Sequence, residues 1–130
     1  MLLAGLLGGD QPVRVMWRPS TTDGYAELIV HIHASEGNAG YVAKIQQANV
    51  RLYRGAEYQG QAPHGVDPAT QALTLRLANG GGRVRVCLNG SAQPLLELVD
   101  PDPIVDGAQR LNIYANGDTS RHWVGEFRYS

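Results

Sequence analysis

Apolar residues in this chain recur at every second position, and no segment shows the three- and four-residue spacing of an amphipathic helix. In the segment 13–18, for example, Val13, Val15 and Trp17 share one face while arginines lie on the other. Alternation of this kind is typical of a β-strand that buries one face. We therefore predict an all-β chain and assign Trp17 to its core.

Clusters of Gly, Pro, Asn and Asp interrupt the alternation about every 8–12 residues, as turns between short strands do. The segment 55–70 is polar and contains Gly and Pro, so it is predicted as one long loop. Short strands connected in this way are the pattern of a two-sheet antiparallel β-sandwich, or jelly roll. The predicted strands are 13–18, 25–33, 41–45, 50–54, 73–77, 83–88, 95–99, 110–114 and 122–129.

A chain of 130 residues fits a single β-sandwich domain, residues 1–130, whose core forms without disulfides. Cys87 is the only cysteine, so no intramolecular disulfide can form. The apolar segment 1–10 is much shorter than the ~20 residues of a membrane span and lacks the basic region of a secretory signal. We expect it to be an edge strand, or an arm packed on the body or on a neighbouring subunit.

The charge pattern argues against nucleic acid as a partner. The formal net charge is -1, and the basic residues alternate with apolar ones instead of clustering along the sequence. A nucleic-acid interface needs a basic patch or stripe. We therefore expect none.

Residues 73–129 follow a recurring order: an alternating strand, a Gly-rich turn, a strand ending in Asn89-Gly90, a strand ending in Asp100, and two closing strands. This order resembles the C-terminal half of concanavalin A-like jelly rolls, the group that includes laminin G-like domains. The resemblance implies a sandwich that binds glycans or proteins. It also implies that one or two N-terminal strands are lacking, which leaves open whether the sandwich closes on itself or pairs with another chain.

Some relatives of this fold are glycosidases, which use two carboxylates about 5–9.5 Å apart. On one strand this requires acidic residues at positions i and i+2 or i+4. The nearest acidic segment runs from Glu97 to Asp102, with different spacing and with prolines. We therefore expect no hydrolytic site and do not expect the chain to be an enzyme.

His31 and His33 stand two apart in a predicted strand, which would place both imidazoles on one face at a spacing that can chelate a metal ion. Zinc or copper would need further ligands, for which His64, His122 and Cys87 are the candidates. We favour an ordinary half-exposed strand face over a metal site.

Asp100, Asp102 and Asp106, with the carbonyls around Gly107, could hold calcium, an ion that takes six to eight oxygen ligands in a flexible loop. The resemblance supports this hypothesis, because laminin G-like domains often bind calcium at a loop rim. Asp before Pro is also a common turn residue. We favour the turn, and calcium is the one cofactor considered.

Sugar-binding surfaces combine exposed aromatic rings, on which sugar C–H faces stack, with polar groups that bond hydroxyls. Several aromatic residues at predicted strand ends or in loops have Arg, His or Asn close by in sequence. For Tyr114 and Trp123 a core position fits equally well. The predicted ligand-binding residues are Tyr53, Arg54, Tyr58, His64, Tyr114, Asn116, His122 and Trp123.

Two functional hypotheses follow. The first is a non-catalytic, lectin-like carbohydrate-binding module that acts outside the cell and has a glycan or polysaccharide as its partner. The alternative is a structural subunit of an extracellular or viral assembly, such as a decoration or appendage protein on a virion surface. Such a subunit would form a homo-oligomer through a free edge strand and the apolar arm 1–10.

Overall fold

The computed structural model describes residues 12–18, 26–46, 48–67, 71–115 and 123–129, and for Arg18, Ala26, 112–115 and 123–129 it describes the backbone alone. The predicted arm 1–10 lies outside the described residues, so the lack of one or two N-terminal strands stays a prediction. The described strands are β1 (Val13–Arg18), β2 (Ala26–Ala34), β3 (Tyr41–Ile45), β4 (Asn49–Arg54), β5 (Glu57–Pro63), β6 (Leu73–Gly80), β7 (Arg83–Leu88), β8 (Leu96–Val99), β9 (Ala108–Ala115) and β10 (Trp123–Tyr129).

The strands form two five-stranded sheets, which confirms the predicted all-β sandwich. Sheet I has the strand order β10-β1-β6-β7-β8, and sheet II has the order β5-β4-β3-β2-β9. All the strand pairs are antiparallel. The described residues contain no helix, and hence none long and apolar enough to cross a membrane.

The core lies between the two sheets and is built from alternate residues of their strands. Trp17 of β1 and Leu75 of β6 represent sheet I, and Leu28 of β2 and Leu52 of β4 represent sheet II; each is at most 1% exposed. Complete burial of one such aliphatic or aromatic side chain contributes about 1.5–3 kcal/mol. Because every second residue of a strand points into this core, the intervening residues form the outer faces of the two sheets.

The prediction of a long loop over 55–70 is wrong in its first half, because Glu57–Pro63 forms strand β5. β5 pairs with β4 alone and is the edge strand of sheet II. Most of its side chains are exposed, so it carries no apolar alternation that sequence reasoning could detect. Pro63 ends the strand, a position where the missing N–H costs no ladder bond. Tyr58 therefore lies on a strand and not in a loop.

The predicted common face of His31 and His33 is also wrong. His33 has a φ of 57°, and the register between β2 and β9 shifts between His31 and Ala34. This irregularity turns the His33 side chain inward, where it is 0% exposed, while His31 stays on the outer face. A Cβ on Gly107 would lie 2.5 Å from the carbonyl carbon of His33, so a side chain there would clash with the irregular segment.

A buried polar cluster fixes the loop that follows β8. Tyr41 donates its hydroxyl proton to Oδ2 of Asp100 at 2.6 Å and accepts a hydrogen bond from the Ile104 amide at 2.9 Å. Nε of Arg54 donates to the same carboxylate oxygen at 2.6 Å, and the Asp102 amide donates to Oδ1 at 2.9 Å. Both oxygens of the nearly buried Asp100 carboxylate are therefore held by protein donors.

Asn79 extends this cluster into sheet I. Its Nδ2 lies 3.1 Å from Nε2 of His33 and donates to the Ile104 carbonyl at 3.3 Å, while its Oδ1 accepts from the Gly82 amide at 2.9 Å. The Asp100 amide in turn donates to the Gly82 carbonyl at 2.8 Å. Hydrogen bonds thus connect both sheets at one end of the sandwich.

The Asp100 carboxyl is held in its ionised form. Burial by itself would raise its pKa, but the hydrogen bonds from Tyr41, Arg54 and the Asp102 amide, with the charge of Arg54, outweigh burial and lower the pKa below its ordinary value. Stability from this group is therefore present above the unfolded-state pKa of about 3.9 and is lost as the pH falls through the lower folded-state value.

We predict that Asp100→Asn lowers the free energy of unfolding by about 2 kcal/mol at pH 6, because hydrogen bonds to a charged group are lost. The difference from the wild type should shrink as the pH falls below about 4, where the wild-type carboxyl becomes protonated. Urea unfolding at pH 6 and at pH 3 measures both values. The exposed Asp106, changed to Asn, is the control, and a difference for Asp100→Asn that is equal at both pH values contradicts the prediction.

Candidate functional site

The outer face of sheet II presents aromatic and polar side chains in ordered rows. The strand register places Arg110, His31, Val42, Tyr53 and Tyr58 opposite one another in one row across all five strands. The adjacent row contains Ile29, Lys44, Arg51 and Gln61. We call these two rows the sheet II face.

An aromatic pair lies at the β4–β5 end of the sheet II face. The rings of Tyr53 and Tyr58 meet edge to face, with centroids 5.9 Å apart and planes at 68°. Nζ of Lys44 stands 4.6 Å from the centroid of the Tyr53 ring, a cation–π contact. Tyr58 is 56% exposed, so much of its ring is in water. The exposed ring of Tyr58 is therefore held edge to face against Tyr53, and a cation stands over the Tyr53 ring.

Polar groups adjoin the aromatic pair. Nε of Arg51 donates to Oε1 of Gln61 at 3.0 Å, which orients both side chains on the neighbouring row. The guanidinium and the carboxamide retain further N–H groups, and a sugar hydroxyl can accept hydrogen bonds from such groups. Donors are thus placed beside the rings.

His31 adds an acceptor to the same face. Its Nδ1 lies 2.8 Å from the Ala39 carbonyl, which can only accept, so Nδ1 carries the proton. Burial, followed by the charges of Arg110 and Lys44, lowers the pKa of His31 although the Ala39 bond opposes the shift. The ring is neutral at neutral pH, and Nε2 is left as a hydrogen-bond acceptor.

The predicted ligand-binding residues do not all meet at this face. Tyr53 and Tyr58 do, whereas Arg54 is bonded to Asp100 in the buried cluster. His64 has its Nε2 2.9 Å from the Gln46 carbonyl and accepts from the Val66 amide through Nδ1 at 3.1 Å, so it fixes the segment after β5. Arg54 and His64 therefore stabilise loops of the fold through these hydrogen bonds.

The remaining predicted ligand-binding residues are distributed over the two sheets or lie outside the description. Tyr114 is on β9 of sheet II, opposite Glu27, and Trp123 is on β10 of sheet I, opposite Arg18. They therefore do not belong to one sheet. Asn116 and His122 lie outside the described residues.

Among the described residues, the candidate metal ligands do not come together at one site. His31 bonds to Ala39 on the outer face while His33 is buried beside Asn79, so the two imidazoles do not form a chelating pair. Asp100 uses both carboxylate oxygens on protein donors. Within the described ranges, no group of three or more His, Cys, Asp or Glu side chains is arranged to hold a metal ion.

The carboxylates of the segment 97–102 are likewise separated by their partners. Glu97 accepts from Nε of Arg85 at 2.7 Å on the outer face of sheet I, and the bond lowers the pKa of Glu97. Asp100 is bonded to Tyr41 inside the sandwich. One carboxylate faces water and the other is nearly buried, so they do not flank a common substrate position.

Sequence reasoning missed the five polar members of the sheet II face other than the two tyrosines. The alternation showed which side chains point outward, but it did not show which strands are neighbours or which residues are opposite one another. A β4 assignment with Val50 and Leu52 inward would have placed one of the five, Arg51, on the same face as Tyr53. The five missed residues are His31, Lys44, Arg51, Gln61 and Arg110.

The fold defined by these sheets is the concanavalin A-like jelly roll, as the resemblance implied. No protein-family model matches the sequence, and no curated protein matches it. Solved structures do match in fold. Sheep galectin-11, in complex with glycerol, is 14% identical, with a TM-score of 0.66 over 92% of this chain and 88% of that chain.

Two bacterial structures are also similar. The carbohydrate-binding module CBM66 from Bacillus subtilis is 13% identical, with a TM-score of 0.65 over 85% of this chain and 70% of that one. A β-glucanase from Bacillus licheniformis is 15% identical, with a TM-score of 0.57 over 85% of this chain and 55% of that one. Identities this low establish a common fold and nothing about common activity.

We predict that His31 titrates below the ordinary histidine pKa of about 6.5, because burial disfavours the imidazolium. Arg110→Gln should move this pKa upward, since it removes a nearby positive charge. NMR titration of the histidine ring protons measures both effects, with the exposed and more distant Arg83→Gln as the control. A His31 pKa at or above the ordinary value would show that the assigned environment is wrong.

Proposed function

We propose that this chain is a non-catalytic carbohydrate-binding module and that it binds its glycan on the sheet II face. The observation that carries the proposal is the Tyr58 ring, which is 56% exposed and held edge to face against Tyr53, with Lys44 beside them. An exposed ring of this size has an unfavourable contact with water that a sugar C–H face relieves. Hydrogen bonds from neighbouring polar groups then orient the hydroxyls.

The arrangement of polar groups suits a neutral sugar. A hydroxyl both donates and accepts, and the sheet II face offers donors on Lys44 and Arg51 and an acceptor on His31. The rows run across the strands, which lie about 4.8 Å apart. Successive sugar units along a row would therefore meet successive side chains, so a chain of several units is the favoured ligand.

The fold comparisons support this class of function. The module from Bacillus subtilis is named for carbohydrate binding, and it shares the two-sheet architecture over most of this chain. A glucanase also shares the architecture, but the partners of Glu97 and Asp100 favour binding over hydrolysis here. We further propose that the module acts outside the cell.

We predict that Tyr58→Ala weakens glycan binding about tenfold, because loss of a stacked ring removes roughly 1–1.5 kcal/mol. Tyr58→Phe retains the ring and should bind within about twofold of the wild type. A glycan array followed by pull-downs on insoluble polysaccharides identifies the ligand, and calorimetry then gives the affinities.

The matched control is Val105→Ala, which truncates an apolar side chain that is 65% exposed in the loop before β9. Binding should also persist in EDTA, since the described face holds no arranged metal ligands. The proposal fails if no glycan binds, or if binding is the same in Tyr58→Ala as in the wild type.

A further inference from the structure

The outer face of sheet I carries a second set of charges that the function proposed above does not use. Arg14 lies on β1, Arg76 on β6, and Arg83 and Arg85 on β7, three neighbouring strands of the sheet. Each alternates with buried core residues and therefore points away from the core. We call these four residues the arginine face.

Two of these arginines oppose each other directly. The register pairs Arg14 with Arg76, which puts their Cβ atoms about 5 Å apart. Like charges placed opposite one another destabilise a sheet. Within the described residues neither guanidinium makes an ion pair. The pair thus concentrates positive charge without compensation from the described part of the fold.

The other two arginines share one carboxylate. Glu97 lies 2.7 Å from Nε of Arg85 and 3.4 Å from Nη1 of Arg83. One negative charge thus stands against four positive charges among the described side chains of this face. The arginine side chains at these two positions are still about half exposed, at 49% and 51%. Their free N–H groups are open to a ligand.

The surface around the arginines is indented. One open depression is lined by Arg14 and Arg76 together with the hydroxyl and amide groups of Thr74, Asn89 and Ser91. A second depression is lined by Arg76, Arg83 and Arg85. Arg76 lines both depressions, so they adjoin one another on three neighbouring strands of sheet I.

We propose that the arginine face is a second binding site, and that it takes an acidic polysaccharide. A guanidinium binds a carboxylate or sulfate through two parallel hydrogen bonds, and an anion between Arg14 and Arg76 would remove their mutual repulsion. The hydroxyl and amide groups of the first depression are suited to the neutral hydroxyls of the same polymer.

Nucleic acid fits this face less well. Proteins that bind single strands stack the bases on aromatic rings, and the described side chains lining the two depressions include none. Two adjoining open depressions also favour a polymer, which can occupy both, over a small anion. This inference stands apart from the sheet II face, since the two faces lie on opposite sides of the core and use different residues.

The test measures binding of the full chain to dextran sulfate, polygalacturonate, neutral dextran and duplex DNA at low ionic strength. We expect the two acidic polysaccharides to bind more tightly than neutral dextran, and only their affinity to fall as salt is added. The variant Arg14→Gln/Arg76→Gln should bind the acidic polysaccharides with an affinity at least about tenfold lower, since two charge-assisted contacts are lost.

The matched control is Ser35→Glu/Ala56→Glu, which changes the net charge by the same amount at exposed turns beside sheet II. It should bind within about twofold of the wild type. The melting temperature of Arg76→Gln should not fall, because the substitution removes a repulsion.

Three outcomes overturn the proposal: an unchanged affinity in the double arginine variant, an equal loss in the control, or duplex DNA that binds as tightly as the polysaccharides. None of these outcomes depends on Tyr58, so a failure here is distinct from a failure of the sheet II site.

Discussion

The packing of two sheets face to face is the constraint on which the rest of this structure depends. Every second residue of the central strands is committed to the layer between the sheets, as Leu28, Val30 and Ile32 are on β2. The intervening residues must then face outward. Chemistry that reaches a ligand is consequently confined to two outer faces and to the loops at the ends, and both proposed sites lie on outer faces.

At one end of the sandwich, polar side chains lie in the layer between the sheets. There the irregularity at His33 places an imidazole between the sheets. The Asp100 carboxylate is nearly buried at the same end and accepts hydrogen bonds from Tyr41 and Arg54. A buried charge is tolerated only when it is paired and hydrogen-bonded, which Tyr41 and Arg54 achieve. Asp100, which the sequence suggested as a calcium ligand, thus stabilises the fold, and hydrogen bonds at this end of the molecule connect the two sheets.

Residues with strong local signals were predictable. The core position of Trp17 followed from alternation alone, and the hairpin between β6 and β7 followed from its Gly-rich turn. β5 was not predictable, because an edge strand with exposed side chains is held by backbone hydrogen bonds that leave no pattern in the sequence. The inward turn of His33 was hidden for a similar reason, since one left-handed residue reverses the alternation.

The sequence by itself determined the architecture, because period-two alternation permits only strands with one buried face and the turn residues set where those strands end. It also identified Tyr53 and Tyr58 as aromatic candidates without showing that their rings meet. Only the tertiary structure decided which strands are neighbours, and hence that arginines far apart in the chain, such as Arg14 and Arg76, share a face. Strand order and register arise from long-range pairing, and a one-dimensional pattern does not contain them.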